Sequence, residues 1–372
     1  MHITRGLALA LGAATLVAGA FATNAVASPQ TGRAAVHGPT LDHVFVIMLE
    51  NHARESVIDR PNMPFTTQLA NTYAQASKYY GVTHPSEPNY IAATSGSNWW
   101  VNNDDPANRF DHRNIVDELE AHHISWAAYM EAMPQTGWLG DNWPSDHNAL
   151  YASKHNPFVL YNDVRDNAQR LSHIKPYTDL AADLDSGNAP RYVWISPDQC
   201  NDLHGGVYTP VAGYPETQHC GYSNAYDPTD PNEIALEQNA DAFMRKTVTT
   251  IMQSKAWTPH SAIFIVADEG DYNGNYPQNG NWSDASGCCD SPVLPAGAPD
   301  VSPDWPGGVY GGGIIPAIVV SPKGPRHYVD TTTEYNHYSM LLTIEQAFGL
   351  GELGFTSDSA QVKPMWGLIN RH

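Results

Sequence analysis

The segment His43-Val44-Phe45-Val46-Ile47-Met48-Leu49 is a nearly continuous apolar run, and the polar residues Glu50 and Asn51 follow it at once. Apolar runs of this length are typical of strands that are buried on both faces of a parallel sheet. Residues 191–196 and 261–267 form two further runs that also give way abruptly to polar residues. The sequence therefore predicts three core strands of one sheet.

Helical segments alternate with the predicted strands. We predict helices at residues 63–77, 114–123, 233–254 and 337–348, further strands at residues 77–82, 125–130 and 314–320, and long loops at residues 133–150 and 272–313. Because strands and helices alternate, we expect an α/β fold with a doubly wound, mainly parallel sheet in a single domain with long loops.

The amino-terminal residues predict export. Residues 1–27 combine a basic start, an apolar run and the Ala25-Val26-Ala27 cleavage motif, which is the pattern of a secretory signal peptide. The apolar run is too short for a stable membrane span. We therefore expect a signal peptide at residues 1–27, a linker at 28–40, and a catalytic domain at 41–372 that is secreted to the periplasm or the exterior.

The chain is strongly acidic, with 39 acidic and 19 basic residues and a net charge of −20. Such a charge argues against nucleic acid and anionic membrane surfaces as partners. It is compatible with an anionic substrate where metal ions offset the charge locally. The sequence leaves the oligomeric state open.

Four cysteines are present, and in an exported protein they predict disulfides rather than metal thiolates. Cys288 and Cys289 are adjacent, so we expect each to bond back towards Cys200 or Cys220 rather than to the other. Four cysteines permit three connectivities, and the sequence alone does not choose among them.

The segment Thr83-His84-Pro85-Ser86-Glu87-Pro88-Asn89-Tyr90 predicts a turn that enters a helix, because two prolines fix the backbone around one serine. A hydroxyl at a helix N-terminus lies near unpaired N–H groups and the positive end of the helix dipole, which suits attack on an anion. The same position suits an ordinary helix N-cap. This segment alone does not decide between a nucleophile and a cap for Ser86.

Acids, amides and one histidine follow the three core strands. They are Glu50 and Asn51, then Asp198, Asp202 and His204, then Asp268 and Glu269. In a doubly wound sheet, ligands bind beyond the carboxyl ends of the strands. We therefore expect these side chains to meet at one edge, next to Ser86. Oxygen and imidazole ligands without thiolate suit Mg²⁺, Ca²⁺, Mn²⁺ or Zn²⁺.

Taken together, the motifs resemble the bacterial phosphoesterase family of the alkaline phosphatase superfamily. This family includes secreted acid phosphatases, phosphatidylinositol-3-phosphatase-like enzymes and phospholipases C. The similar segments occur in family order between about residues 41 and 355, at residues 43–51, 83–90, 201–205, 268–271 and 337–350.

The resemblance implies one metal site around the nucleophile. Ser86 takes the nucleophile position and is itself a ligand, held as an alkoxide by a cation on Glu50, Asp268 and Glu269. Asn51 is implied as a further ligand or a phosphate contact.

The resemblance also implies a second group of residues. Asp202, His204 and His337 match the region of a second cation, or act as phosphate contacts and proton donors where one cation suffices. Asn89 is implied as a donor to a phosphate oxygen. Lys154 and His155 are implied as phosphate or leaving-group contacts, so the family pattern predicts one or two divalent cations per chain.

The expected function is that of a secreted, metal-assisted acid phosphatase that hydrolyses phosphate monoesters through a phosphoserine. Its substrate is a phosphorylated small molecule or a lipid headgroup such as phosphatidylinositol 3-phosphate. The first alternative is a phosphodiesterase of the phospholipase C type. The second is a secreted protein that binds metal without catalysis.

Overall fold

The computed structural model describes residues 40–223, 225, 227–270, 284, 286–294, 308–309 and 311–370. The predicted signal peptide, almost all of the predicted linker, and much of the predicted loop at 272–313 lie outside the described residues. Among the helices of the described part, none is both long and apolar enough to cross a membrane.

The fold is built on a central sheet of eight strands. Its strands are β1 (His43–Leu49), β2 (Ala74–Ala76), β3 (Trp126–Met130), β4 (Ile174–Pro176), β5 (Tyr192–Ser196), β6 (Ser261–Ala267), β7 (Ala317–Val320) and β8 (Tyr328–Asp330). Short two-residue strands pair outside this sheet, Tyr79–Tyr80 with Tyr335–Asn336, Asn142–Trp143 with Tyr151–Ala152, and Val293–Leu294 with Gly308–Val309.

The strand order in the central sheet is β8-β2-β7-β6-β1-β5-β3-β4. Strand β1 lies between β6 and β5 and runs parallel to both, with Val46 opposite Phe264 on one side and Trp194 on the other. All neighbours are parallel except the two pairs made by β7, which runs against β6 and β2. The predicted α/β fold with a mainly parallel sheet is confirmed, and its three core strands are adjacent.

Helices connect and cover the strands. The α-helices are α1 (Pro64–Thr72), α2 (Ser86–Ser95), α3 (Ile115–Ala121), α4 (Asn162–Arg165), α5 (Ala168–Leu171), α6 (Leu180–Asp185), α7 (Pro231–Gln253), α8 (His337–Phe348) and α9 (Trp366–Ile369). Short 3₁₀ helices occur at Arg54–Ser56, Ser153–His155, Pro157–Leu160, Tyr177–Asp179, Pro215–His219 and Gly354–Ser357. Helix α1 packs against α7, and α2 packs against α8.

The predicted helix at residues 63–77 is shorter than expected. It ends at Thr72, and the chain then enters β2, which contributes only three residues to the sheet. The predicted strand at residues 77–82 shrinks to Tyr79–Tyr80 and pairs outside the central sheet. Segments of two or three residues are too short to show a period of either kind, so sequence patterning does not detect them.

The disulfide pairing differs from the prediction. The bonds are Cys200–Cys220 and Cys288–Cys289, so the expectation that the adjacent cysteines reach back is wrong. Val207 and Cys220 form an antiparallel bridge that folds the segment after β5 back on itself and brings Cys220 to Cys200.

Glu345 lies fully buried in α8, where its Oε1 accepts a hydrogen bond of 2.9 Å from the Leu353 backbone N–H. Burial raises the pKa of Glu345 to about 8. A carboxyl group whose pKa is raised on folding is most favourable below its unfolded pKa, and stability is lost as pH rises towards the folded value. Glu345 therefore destabilises the fold increasingly between pH 4 and pH 8.

We expect Glu345→Gln to raise the free energy of unfolding at pH 8 by roughly 1–3 kcal/mol and to change it little at pH 4. Glutamine keeps the carbonyl acceptor for Leu353 and removes the ionisation. Urea titrations at the two pH values measure the difference, with the exposed Glu55→Gln as the matched control. An equal change at both pH values would contradict the assignment.

Candidate active site

The turn before α2 is held by one side chain. Asn89 Oδ1 accepts hydrogen bonds from the backbone N–H groups of Val82 and Thr83, at 2.8 and 3.1 Å. Its Nδ2 donates to the carbonyls of Thr83 and Pro85, at 2.8 and 3.1 Å. Both N–H bonds of the amide are therefore used within the turn. Asn89, which the resemblance implies as a donor to a phosphate oxygen, shapes the turn that presents Ser86.

Glycine backbones join this turn to the segment after β6. The Gly312 N–H donates to the Gly81 carbonyl at 2.9 Å, and the Gly312 carbonyl accepts from the Gly270 N–H at 2.7 Å. A Cβ at Gly81 would lie 2.8 Å from the Asp268 carbonyl oxygen and 2.9 Å from Gly312 Cα. Only glycine permits this approach, and the approach places the Ser86 turn beside the acids that follow β6.

Ser86 is the first residue of α2, preceded by Pro85 at the N-cap, and it is 1% exposed. Its Oγ lies 3.0 Å from Glu50 Oε2 and 3.1 Å from Glu269 Oε1. The hydroxyl can donate its single proton to one of these carboxylates at a time. The prediction that the ends of β1 and β6 meet at Ser86 is confirmed.

Further contacts fix the carboxylates around Ser86. The Asn51 backbone N–H donates to Asp268 Oδ1 at 2.9 Å, and Asn51 Nδ2 donates to Glu50 Oε2 at 3.1 Å. His84 Nδ1 contacts Glu269 Oε2 as a close ion pair. Burial lowers the pKa of His84, but Glu269 more than offsets this and raises it, which favours the imidazolium.

A second group of side chains lies on the other side of Glu50. The His155 ring has Nε2 at 3.2 Å from Glu50 Oε1 and Nδ1 at 3.3 Å from Asp202 Oδ2. Ligand atoms of Glu50, His155 and His204 lie within 4.8 Å of one another, close enough to hold one metal ion. His204 is oriented by its Nδ1, which lies 2.9 Å from the Gly205 carbonyl and directs Nε2 towards the site.

Lys154 brings the positive charge to this second group. Its Nζ lies 3.3 Å from His204 Nε2 and 2.9 Å from Asp104 Oδ2. Burial opposes the charge, but Asp104 and Glu50 raise the pKa of Lys154 above its ordinary value. Burial, reinforced by Lys154, lowers the pKa of His204 to about 3, so its imidazole is neutral and offers a lone pair.

The carboxylates are poorly neutralised by the surrounding protein. Glu50, Asp202, Asp268 and Glu269 are each at most 1% exposed. Burial, followed by the charge of Glu269, raises the pKa of Asp268 to about 7, and burial together with Asp268 and Asp202 raises the pKa of Glu50. Buried like charges of this density require a compensating cation or protonation.

The donor set fits a divalent cation. The buried Asp202 Oδ2 has the His155 ring nitrogen 3.3 Å away as its neighbour, and no described residue hydrogen-bonds to the buried Asp268 Oδ2. Carboxylate oxygens of Glu50 and Glu269 lie beside Ser86 Oγ, while the second group adds imidazole nitrogens. Such mixed oxygen and nitrogen donors suit hard or borderline divalent ions.

Two predicted members lie apart from this cluster. His337 Nε2 donates to the Asp268 carbonyl at 2.6 Å, and its Nδ1 accepts from Tyr79 OH at 3.2 Å. With both nitrogens engaged, His337 positions the backbone of Asp268. Asp198 Oδ1 accepts hydrogen bonds from the backbone N–H groups of Cys200 and Asn201.

Sequence reasoning missed three residues that contact the site: Tyr90, His84 and Asp104. Tyr90 OH donates to Glu50 Oε1 at 2.5 Å. It follows Ser86 by four residues, so helical spacing places both on one face of α2 and is a signal that could have identified it. Asp104 lies in a loop between helices, where no periodic pattern indicates its contact with Lys154.

Comparisons with known proteins agree with the geometry. The sequence model of the Phosphoesterase family matches residues 54–218 and 223–351. A phosphate-repressible acid phosphatase of Penicillium chrysogenum is 27% identical over 339 residues, which cover 90% of this chain and 65% of that protein. A phosphatidylinositol-3-phosphatase of Mycobacterium tuberculosis is 24% identical over 360 residues, covering 95% and 94%.

Among solved structures, the chain is similar to a protein of the alkaline phosphatase superfamily from Vibrio parahaemolyticus. The two share 11% identity and a TM-score of 0.49, over 86% of this chain and 69% of that one. The chain spans between 38% and 65% of the length of the acid phosphatases that it matches.

Proposed function

The chain belongs to the Phosphoesterase family, as its motifs predicted, and on that premise we propose that it hydrolyses phosphate monoesters through a phosphoserine intermediate. The observation that carries the proposal is the position of Ser86 Oγ, 3.0 and 3.1 Å from two buried carboxylates at the start of a helix. The likeness to an acid phosphatase and to a phosphatidylinositol-3-phosphatase supports a monoester substrate.

In the proposed first step, Ser86 Oγ bonds to phosphorus, the bond from phosphorus to the ester oxygen breaks, and the alcohol departs. The Ser86 proton goes to the carboxylate that Oγ faces, Glu50 or Glu269. Lys154 is assigned to the leaving oxygen, where its ammonium stabilises the developing charge. The alcohol takes up a proton from water, and the proton that Ser86 gave to the carboxylate neutralises the hydroxide that remains. Water then attacks the phosphoserine, releasing inorganic phosphate and restoring the hydroxyl.

The residues that would hold a cation are on two sides of Glu50. Ser86, Asp268 and Glu269, with Asn51 beside them, form the first set, and His155 and His204, with Asp202 beside them, form the second. A divalent cation there supplies positive charge that lowers the pKa of the serine hydroxyl and offsets charge on the phosphoryl oxygens. One or two ions of Mg²⁺, Ca²⁺, Mn²⁺ or Zn²⁺ fit these donors.

We also propose that the enzyme acts outside the cytoplasm. The predicted signal peptide at residues 1–27 and the two disulfides of the described part support this location. Phosphatidylinositol 3-phosphate is one candidate substrate, because the Mycobacterium tuberculosis relative is named for it.

A comparison of a monoester with a diester tests the proposed activity. We expect kcat/KM for p-nitrophenyl phosphate to exceed that for p-nitrophenylphosphorylcholine by at least about tenfold, because a dianionic phosphoryl group gains more from Lys154 and bound cations. The two assays share one chromophore, so release of p-nitrophenolate is compared directly. A preference for the diester would favour a phospholipase C-type activity. Bound metal without hydrolysis of either ester would favour a non-catalytic protein.

A further inference from the structure

We propose that Tyr208 and Tyr222 form a binding site for an aromatic leaving group, so that aryl and nucleoside phosphate monoesters are the substrates this enzyme binds best. The inference rests on the proposed function and extends it to the substrate class. Both rings are unusually open, with exposures of 65% for Tyr208 and 54% for Tyr222.

The two rings stand over a groove that opens from the candidate active site. The groove has a volume of about 380 Å³, which falls within the range of small-ligand clefts. Lys154 and His204 of the candidate active site are among its lining residues. Its polar lining includes Asp104, Asn142, Asp146, His147 and Gln199.

Distances link the rings to the reacting hydroxyl. Ser86 Oγ lies 3.0 Å from Glu50 Oε2. Ligand atoms of Glu50 and His204 lie within 4.8 Å of each other. The His204 and Tyr222 rings have centroids 5.4 Å apart, and the Tyr222 and Tyr208 rings have centroids 6.0 Å apart. A phosphoryl group between Ser86 and His204 therefore directs its ester substituent towards the tyrosines.

Gly206 and Asn148 help to position the two tyrosine rings. Gly206 adopts φ +94°, and a Cβ there would lie 2.9 Å from Tyr222 Cζ, so glycine makes room for the ring. Asn148 Oδ1 accepts from the N–H groups of Tyr208 and Thr209, at 2.8 and 2.9 Å. The Cys200–Cys220 disulfide closes the loop that carries Tyr208 and ends two residues before Tyr222.

The chemistry of the groove identifies the ligand class. The Tyr208 and Tyr222 rings meet at 72°, so a planar group stacks on the open face of one of them, and such stacking on an aromatic side chain tolerates any base. The acids Asp104 and Asp146 accept hydrogen bonds from hydroxyl or amino groups, as a nucleoside carries. A groove with this polar lining has little to offer a pair of acyl chains, so we commit to the aromatic class.

The test compares three monoesters on the full-length metal-loaded protein: adenosine 5′-monophosphate, p-nitrophenyl phosphate and glycerol 2-phosphate. The variants are Tyr208→Ala with Tyr222→Ala, and Tyr208→Phe with Tyr222→Phe. We expect the alanine pair to raise KM for the two aromatic esters by about 10-fold and to leave glycerol 2-phosphate within twofold. The phenylalanine pair keeps the rings and should restore KM. Tyr328→Ala, at an exposed tyrosine on edge strand β8, is the matched control.

Each outcome has a defined meaning. An equal loss for all three esters would assign the tyrosines a structural role and overturn the inference. A wild-type protein that hydrolyses none of them would overturn the proposed function. In that case, equilibrium binding of adenosine 5′-monophosphate decides the inference separately, because binding lost in the alanine pair alone supports the aromatic site and equal binding rejects it.

Discussion

Ser86→Ala is expected to lower kcat for p-nitrophenyl phosphate by at least about 10³-fold, because no phosphoserine can form without the hydroxyl. The variant should fold normally. The Ser86 hydroxyl is not needed to shape the turn, since the Asn89 amide holds that turn through the backbone of residues 82–85. Turnover and thermal unfolding of the purified variant measure the two expectations together.

The intermediate itself gives a second readout. Acid quenching during turnover of a ³²P-labelled monoester should leave label on the wild-type chain and none on the variant. Ser95→Ala is the matched control, because Ser95 is a buried serine at the far end of the same helix α2. It should retain both turnover and label. A folded Ser86→Ala protein with wild-type turnover would refute the assignment of the nucleophile.

Chelation by EDTA is expected to abolish turnover, and addition of one divalent cation should restore it. The physical reason is the cluster of buried carboxylates, whose charge the described cations His84 and Lys154 only partly offset. Removing the cation leaves buried like charges uncompensated. Assays with Mg²⁺, Ca²⁺, Mn²⁺ and Zn²⁺ added back singly identify the ion.

Stability provides a readout that does not depend on activity. A ligand that binds only the folded state at 100 times its Kd stabilises it by about 2.7 kcal/mol, so chelation should lower Tm. In Asp268→Asn, which loses one carboxylate charge, the shift caused by chelation should be smaller. Glu55→Gln, at an exposed acid outside the site, should keep the full shift. Unchanged turnover and Tm after exhaustive chelation would contradict the proposed role of a metal ion.

Most of what the sequence predicted about the candidate site lies at the ends of the strands. β6 is buried throughout and β1 everywhere but at His43, so their hydrophobic runs identify them and their ends locate Glu50 and Asp268. Parallel strands place their carboxyl ends at one edge, and this rule brings distant acids together without any knowledge of contacts. The turn that presents Ser86 follows from local proline and helix-start signals.

The remainder depends on three-dimensional packing. His337 has the sequence context of a site residue, yet its two ring nitrogens bond to Asp268 and Tyr79. Which way a side chain points from a helix start is decided by its neighbours in space. The same holds for the cysteines, whose pairing depends on how residues 201–219 fold back. His155 joins the candidate metal-binding group from a short 3₁₀ helix that has no periodic signature.

The turn that Asn89 holds also makes this protein suitable as a substrate trap. Its hydrogen bonds run from the Asn89 side chain to the backbone, and the carboxylates arrive on separate strands, so removal of one hydroxyl leaves the surrounding architecture in place. An immobilised Ser86→Ala protein can then retain phosphate esters that it does not consume. Mass spectrometry of the molecules eluted from it would identify the physiological ester directly, without a preselected panel of substrates.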